Sequence, residues 1–425
     1  MIIKKEGNVM KKATVNIFPW IVMLSLGLIS AACLGSSMVL MGSFLTPISQ
    51  SMKVSVSITS YYYTVIVLVM AMMMPIVPKI LAKVNNTLIY LITSILVTIS
   101  LFLIGNFTQI WMFFAIAIVI GISISFMSFV PVGIIVDNWF INKTNLAIGI
   151  CWAVTSVYQG VMSPLLANWI TLVGWKATLS ILAIIVGILS IPFSFLVKFS
   201  PEMVRKKPFG YKEDKKEKII SKTKIVSTHK ILTSKAFWIL LVLLCLFQFP
   251  AVLNQMFPTY AISAGFKETV GGFMVTAAMF FDIFLNPLIG ATFDKVGAFK
   301  GSILWLIVGL LSYGLLIVAT NNHSADLAIL GAGINDVIYI FLGTGITAIA
   351  AELLGKGAFA KGFSFVSSVS FVIGAFAMPL NNFIAEKFNG FDAVYIFFAI
   401  LILLTIVLIG YGSNNTFDKQ YGNKL

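Results

Sequence analysis

Uncharged apolar runs of about 20 residues recur along this chain, separated by short polar turns, and that recurrence leaves few folds open. A bilayer core about 30 Å thick takes roughly 20 apolar residues per helical crossing. Each backbone amide must find its partner inside the segment, so the crossing has to be a helix or a closed barrel. Twelve such runs are expected, at 19–44, 57–78, 87–104, 110–134, 146–170, 177–198, 237–258, 269–291, 301–320, 326–351, 361–384 and 393–411. Only 10% of the 425 residues are charged, against roughly a quarter in soluble domains, so the chain cannot present polar surface on all sides. The sequence predicts an all-α integral membrane protein of twelve transmembrane helices.

A net charge of +14 would suggest nucleic acid in a soluble protein, but its placement points elsewhere. Alternating crossings put 25 of the 29 Lys and Arg on one side, twelve of them between Lys198 and Lys235, and only Lys53, Lys176, Lys267 and Lys387 on the other. That asymmetry predicts a multi-pass protein of the cell membrane with both termini cytoplasmic, and low-charge apolar runs with abundant Ile, Lys and Asn fit a bacterial inner membrane. The partners expected are the lipid bilayer, a small-molecule substrate and protons, with no nucleic acid. Cys33, Cys151 and Cys245 all lie in apolar runs, and no CxxC or histidine cluster occurs, so neither a metal nor another cofactor is expected and the chain is not read as an enzyme. The stretch Ser30-Ala31-Ala32-Cys33 has the look of a cleavage site, but apolar sequence continues past it and it is read as part of the first helix.

The chain also reads as a duplication. Pro75-Ile76-Val77-Pro78 through Lys83-Val84 matches Pro287-Leu288-Ile289-Gly290 through Lys295-Val296 at a spacing of 212. Lys143, Ala147 and Gly149 match Lys356, Ala360 and Gly362 at 213, and Gly160 and Asn168 match Gly374 and Asn382 at 214. A nearly constant offset over separate regions marks an internal repeat. The expected organisation is a six-helix half over 1–198, a cytoplasmic linker over 199–236 and a second six-helix half over 237–425. The linker, with Lys215, Lys216 and Lys218 among Glu213, Asp214 and Glu217, could form a basic surface helix on lipid headgroups.

Between the eighth and ninth runs, Gly290-Ala-Thr-Phe-Asp294-Lys295-Val-Gly297-Ala-Phe-Lys300 resembles the GxxxDxxGxxK signature loop of the major facilitator superfamily. The resemblance implies two pseudo-symmetric six-helix halves working by alternating access. A narrower resemblance rests on Asn138-Trp139-Phe140-Ile-Asn-Lys143, on Gly174-Trp175-Lys176 and on Phe281-Asp282-Ile-Phe-Leu-Asn286-Pro287. These look like the monocarboxylate transporter and oxalate:formate antiporter branch. There the eighth helix carries an acid and, four residues later, an arginine implicated in proton coupling and carboxylate binding. This chain has the acid as Asp282, but Asn286 stands at the arginine position. At the ends bearing the lysines, Asp294 and the pairs Lys83 with Asp137 and Lys295 with Glu352 are expected gating groups, latching the state closed on that side.

A carboxylate at mid-helix costs about 2.5–3.5 kcal/mol to insert, so an acid there is a functional candidate by default. Asp282 and Asp336 are the two acids near the middle of a run, and both are candidate proton-coupling residues, since burial favours the neutral carboxyl and lets such a group load and release a proton. Asn286 lies one helical turn from Asp282. Asn335 and Tyr339 accompany Asp336. Trp152, Ser156, Gln159 and Ser163 follow one face of the fifth run, Gln248 and Gln255 lie two turns apart on the seventh, and Ser367 and Ser370 share a face of the eleventh. Of these, Asn286, Trp152, Gln159, Gln248, Gln255, Asn335, Tyr339 and Ser367 are candidate substrate-binding residues. Tyr61, Tyr62 and Tyr63 are expected in an interfacial aromatic belt.

The leading expectation is a secondary transporter carrying a small organic solute, a monocarboxylate or related metabolite, in symport with protons through an intramembrane Asp. A second reading is a proton-coupled exporter of cationic or amphipathic compounds, suited to a cavity with two acids and no bases. A third is a transporter-like sensor reporting through the linker.

Overall fold

The computed structural model describes residues 17–141, 143–211 and 227–421. Among these, ten helices are long and apolar enough to cross a membrane. One of them, Leu146–Ser194, is two crossings, because the backbone breaks at Gly174, where φ is +81°. A further crossing is split in two: Ile110–Ser125 and Phe129–Trp139 follow one another across a short turn. The result is the expected twelve spans. Residues 212–226 of the basic linker, including Lys215, Lys216 and Lys218, lie outside the described residues.

Several spans are not regular helices, and in each the freed backbone groups find partners on other helices, as a medium without water requires. The first span runs as Phe18–Ser30, widens to a π turn over Ala31–Gly35 and resumes as Gly42–Met52. Where it is interrupted, the Ser37 and Met38 carbonyls accept from the hydroxyls of Tyr62 and Tyr63 at 3.3 and 3.0 Å. These two tyrosines are buried and tie the second span, Val56–Met73, to the first. Only Tyr61, at 42% exposure, fits the expected belt. The seventh span, Lys235–Ser263, breaks into a 3-10 turn at Pro250–Val252, since proline brings no N–H to the ladder. Asn381 of the eleventh span, Gly357–Lys387, donates to the Phe249 carbonyl beside that break at 2.9 Å. This interruption separates Gln248 from Gln255, which therefore do not share one continuous helical face.

The motifs of the narrower resemblance do structural work here. Trp139 is fully buried, and its indole N–H donates to the Lys198 carbonyl at 2.7 Å. Asn138 donates to the Phe199 carbonyl at 3.1 Å. Together they hold the chain as it leaves the sixth span. In the signature loop Gly297 sits at φ +83°, a turn conformation that disfavours any side chain.

Among the described residues, the hydrogen bonds between the two halves gather toward one end of the molecule. Ser57 Oγ donates to the Pro379 carbonyl at 3.0 Å, Thr64 Oγ1 to the Ala375 carbonyl at 2.6 Å, and Asn382 Nδ2 to Ser60 Oγ at 2.6 Å. Beside them the eighth span, Glu268–Val296, presses on the fifth. A methyl built at Gly272 would stand 2.7 Å from Pro164 Cα, and Thr276 Oγ1 donates to the Gly160 carbonyl at 2.6 Å. Further along, toward the end that carries most of the lysines, the same two helices splay. A methyl at Gly149 or Gly290 would meet nothing within 4 Å. A cleft therefore opens toward the basic end and closes toward the other.

Candidate functional site

Asp282 lies midway along Glu268–Val296 and is half-buried. Its carboxylate accepts from Ser156 Oγ of the fifth span at 3.1 Å and from Asn286 Nδ2, one turn on, at 3.1 Å. Asn286 in turn accepts at 2.9 Å from Oγ1 of Thr344, which belongs to a π turn at Phe341–Gly345 in the tenth span. One connected set of side chains thus links the fifth, eighth and tenth spans, and the Ser156 bond crosses between the halves. It lies where the closed contact ends and the splay begins. The acid consequently stands at the apex of the cleft.

Asp336 is placed differently. It is fully buried within the second half, with one oxygen accepting from Asn254 Nδ2 of the seventh span at 2.8 Å and the other lacking a partner. Its neighbour Asn335 turns away, donating to Ser312 Oγ of the ninth span, Ala298–Asn321, at 2.8 Å. Successive helical residues point about 100° apart, so these two share sequence position but not surroundings. Tyr339 is half-buried one turn further on. Asn254 was not among the residues singled out from sequence. An amide beside Gln255 in the seventh run, its only signal, does not say which acid it meets.

Two glutamines occupy matching depths. Gln159 is buried with its amide against Gly35 of the first span, where a methyl would lie 3.1 Å from Nε2. Gln248 is buried against Gly374 of the eleventh, where a methyl would lie 2.6 Å from Oε1, and its amide donates to Ser370 Oγ at 3.3 Å. The first and seventh spans are equivalent by the repeat, as are the fifth and eleventh. Each half therefore carries one glutamine over one glycine, with the roles of the two helices exchanged. Ser367, Gln255 and Trp152 are half-buried.

At the basic end, Lys83, Asp137, Asp294 and Lys295 are exposed. Glu352 goes to backbone rather than to Lys295: its Oε1 accepts from the Ala298 amide at 2.8 Å, at the start of the ninth span. That N-terminus carries partial positive charge and an orphan donor, which a carboxylate satisfies well. A matching contact at the opposite end was not foreseen. Glu386 Oε1 of the eleventh span accepts from the Ser57 amide in the first turn of the second span at 2.9 Å, across the two halves.

A sequence profile of the Major Facilitator Superfamily matches residues 26–346. No curated protein matches the chain. Among solved structures, the D-xylose-proton symporter superposes with a TM-score of 0.71 at 12% identity, covering 92% of this chain and 97% of its own. The nucleoside transporter NupG gives 0.69 at 11%, covering 93% and 98%. A bacterial homologue of the human lysosomal transporter Spinster, inward-facing and unoccupied, gives 0.67 at 14%, covering 95% and 97%. At such identities the likeness is one of fold.

Proposed function

Because this chain belongs to the Major Facilitator Superfamily and is a secondary transporter of that type, we propose that it carries a small monocarboxylate together with a proton, through Asp282. The observation that carries this reading is the position of that acid. It is half-buried at the apex of the cleft and bonded across the halves to Ser156. Inserting a mid-helix Asp costs about 2.5–3.5 kcal/mol, while each hydrogen bond to a charged group returns about 1.5–3 kcal/mol. The two bonds from Ser156 and Asn286 are together large enough to offset that cost and hold the acid at mid-depth. Protonation on the oxygen that faces Ser156 would weaken the acceptor of the bond between the halves, which would couple the proton to the arrangement of the helices.

On the lysine distribution the basic end is cytoplasmic, so the cleft faces inward in this conformation. Substrate would bind between Asp282, Gln159 and Gln248 at mid-depth. Lys83, Asp137, Asp294 and Lys295 would serve as gating groups in the opposite state, when the basic ends come together. Glu352 would join them only by leaving the Ala298 amide.

The test is purified protein in liposomes with a trapped pH dye, challenged with small monocarboxylates one by one. Protein-free vesicles set the baseline for passive entry of the undissociated acid. Substrate-dependent proton flux above that baseline, lost in Asp282→Asn, supports the reading, and its absence in the wild type refutes it. One observation favours a second reading, a cationic or amine-bearing solute. Asn286 stands where the resemblance expects an arginine, and both ends of its amide are spent, on Asp282 and on Thr344. The apex therefore offers a carboxylate and no base. Amines that move protons in the same vesicles, where acids do not, would decide for it.

A further inference from the structure

At the closed end of the second half, away from the cleft, lies a cavity of about 130 Å³ lined by Tyr260, Ser263, Thr320, Asp392 and the turn at 388–391. From its electrostatics and its oxygen donors we infer that it binds a small monovalent cation of sodium or ammonium size. Three helices end here: Leu253–Ser263, Ala298–Asn321 and Ala377–Lys387. Each brings partial negative charge of about half an electron at its C-terminus. One helix begins here, Asp392–Asn414, and the acid in its first turn outweighs its positive end.

The hydroxyl and carboxylate side chains add acceptors, and Asn389 in the turn brings an amide oxygen as well as an N–H. Ser263 Oγ donates to the Tyr260 carbonyl at 2.9 Å, and Thr320 Oγ1 donates to the Leu316 carbonyl at 3.1 Å. The Tyr260 hydroxyl is held by the same group, 2.8 Å from Thr320 Oγ1 and 3.2 Å from the Leu316 carbonyl. With those hydrogens committed, the hydroxyl oxygens are left with lone pairs to offer. The Asp392 carboxylate has one oxygen buried without a hydrogen-bond partner. The nearby Lys387 ammonium reaches back over the Phe383 ring at 5.9 Å. Oxygen-only ligation with a single carboxylate suits a weakly charged hard cation. Tyr260 and Phe391 supply aromatic walls, in edge contact at 5.5 Å, that tolerate an ammonium equally.

The test uses the full-length purified protein. Binding of radiolabelled sodium is measured at constant ionic strength against choline, which is too bulky for the cavity, with ammonium as competitor. The expected result is saturable sodium binding, displaced by ammonium and not by choline. It should weaken about tenfold or more in Asp392→Asn, through loss of a charge in contact with the ion, and stay unchanged in Asp282→Asn. Melting temperature should rise with sodium in the wild type and not in Asp392→Asn. If Asp392→Asn fails to fold, Ser263→Ala at the exposed rim and Thr320→Val take its place, each expected to weaken binding about threefold. Absence of sodium-specific binding, or binding unaltered in these variants, overturns the inference. Loss in Asp282→Asn alone would place any bound cation in the transport path instead and overturn it equally.

Discussion

Gly42 of the first span lies so close to the seventh that a methyl there would overlap the Gln255 carbonyl oxygen and stand 3.1 Å from its carbon. The obstacle is backbone, which cannot swing aside as a side-chain tip can, and it belongs to the other half. Gly42 is the first residue of the helix Gly42–Met52 and is not among the glycines at positive φ, so Gly42→Ala leaves the helix intact. The overlap is relieved by separating the halves at the closed end. Overpacking of this kind costs about 1–3 kcal/mol, and about 1.4 kcal/mol is a factor of ten. The ratio of closed to open at this end should fall by roughly 5- to 150-fold. The assay is labelling of Thr46→Cys, one turn beyond Gly42 and buried here, with a membrane-impermeant maleimide from the side opposite the basic loops. Native Cys33 and Cys151 are buried and Cys245 half-buried, which keeps the background low. Faster labelling is expected in Gly42→Ala. Gly149→Ala, with empty space around it, should change nothing. A folded Gly42→Ala protein that labels no faster than the parent would refute the assignment of Gly42 as the glycine that permits closure.

Glu386→Gln removes the charge from the second span's N-terminus, a contribution of about 0.3–1 kcal/mol. The same labelling should therefore rise about two- to fivefold, less so at high salt. Asp282→Asn keeps hydrogen-bonding capacity toward Ser156 but cannot exchange a proton, so substrate counterflow should persist while proton-driven accumulation is lost. Loss of both in a folded protein would instead make the acid a substrate ligand. Asn254→Leu strips the one donor from Asp336 and should cost about 1–3 kcal/mol of stability, whereas Asp336→Asn retains an oxygen for Asn254 and should cost less. Thermal denaturation in detergent orders the two.

The twelve crossings and the two-fold repeat were legible because length and apolarity are linear properties of the chain. The interruptions were not. The π turn at Ala31–Gly35 and the turn after it are tolerated because Tyr62 and Tyr63 supply hydroxyls, and no local pattern announces a partner 25 residues away. The same holds for Asn381, which serves a carbonyl on the seventh span. Asp282 was visible through the cost of placing it, and Asn286 through helical spacing. Ser156, 126 residues earlier, could be seen as part of a polar stripe but not as the acid's partner. Asn335 was grouped with Asp336 by adjacency, yet adjacency on a helix directs side chains to different neighbours, and here they face the ninth and seventh spans respectively.

The exchanged glutamine–glycine contacts bear on how such a chain can evolve. Duplicated segments within one gene invite recombination that copies one repeat over the other. Copying the seventh span onto the first would set Gln248 opposite Gln159, two amides in the space of one. The reverse copy would leave Gly35 facing Gly374 across a void. Either product is misfitted at mid-depth, so homogenised halves would be removed by selection and the two repeats kept free to diverge.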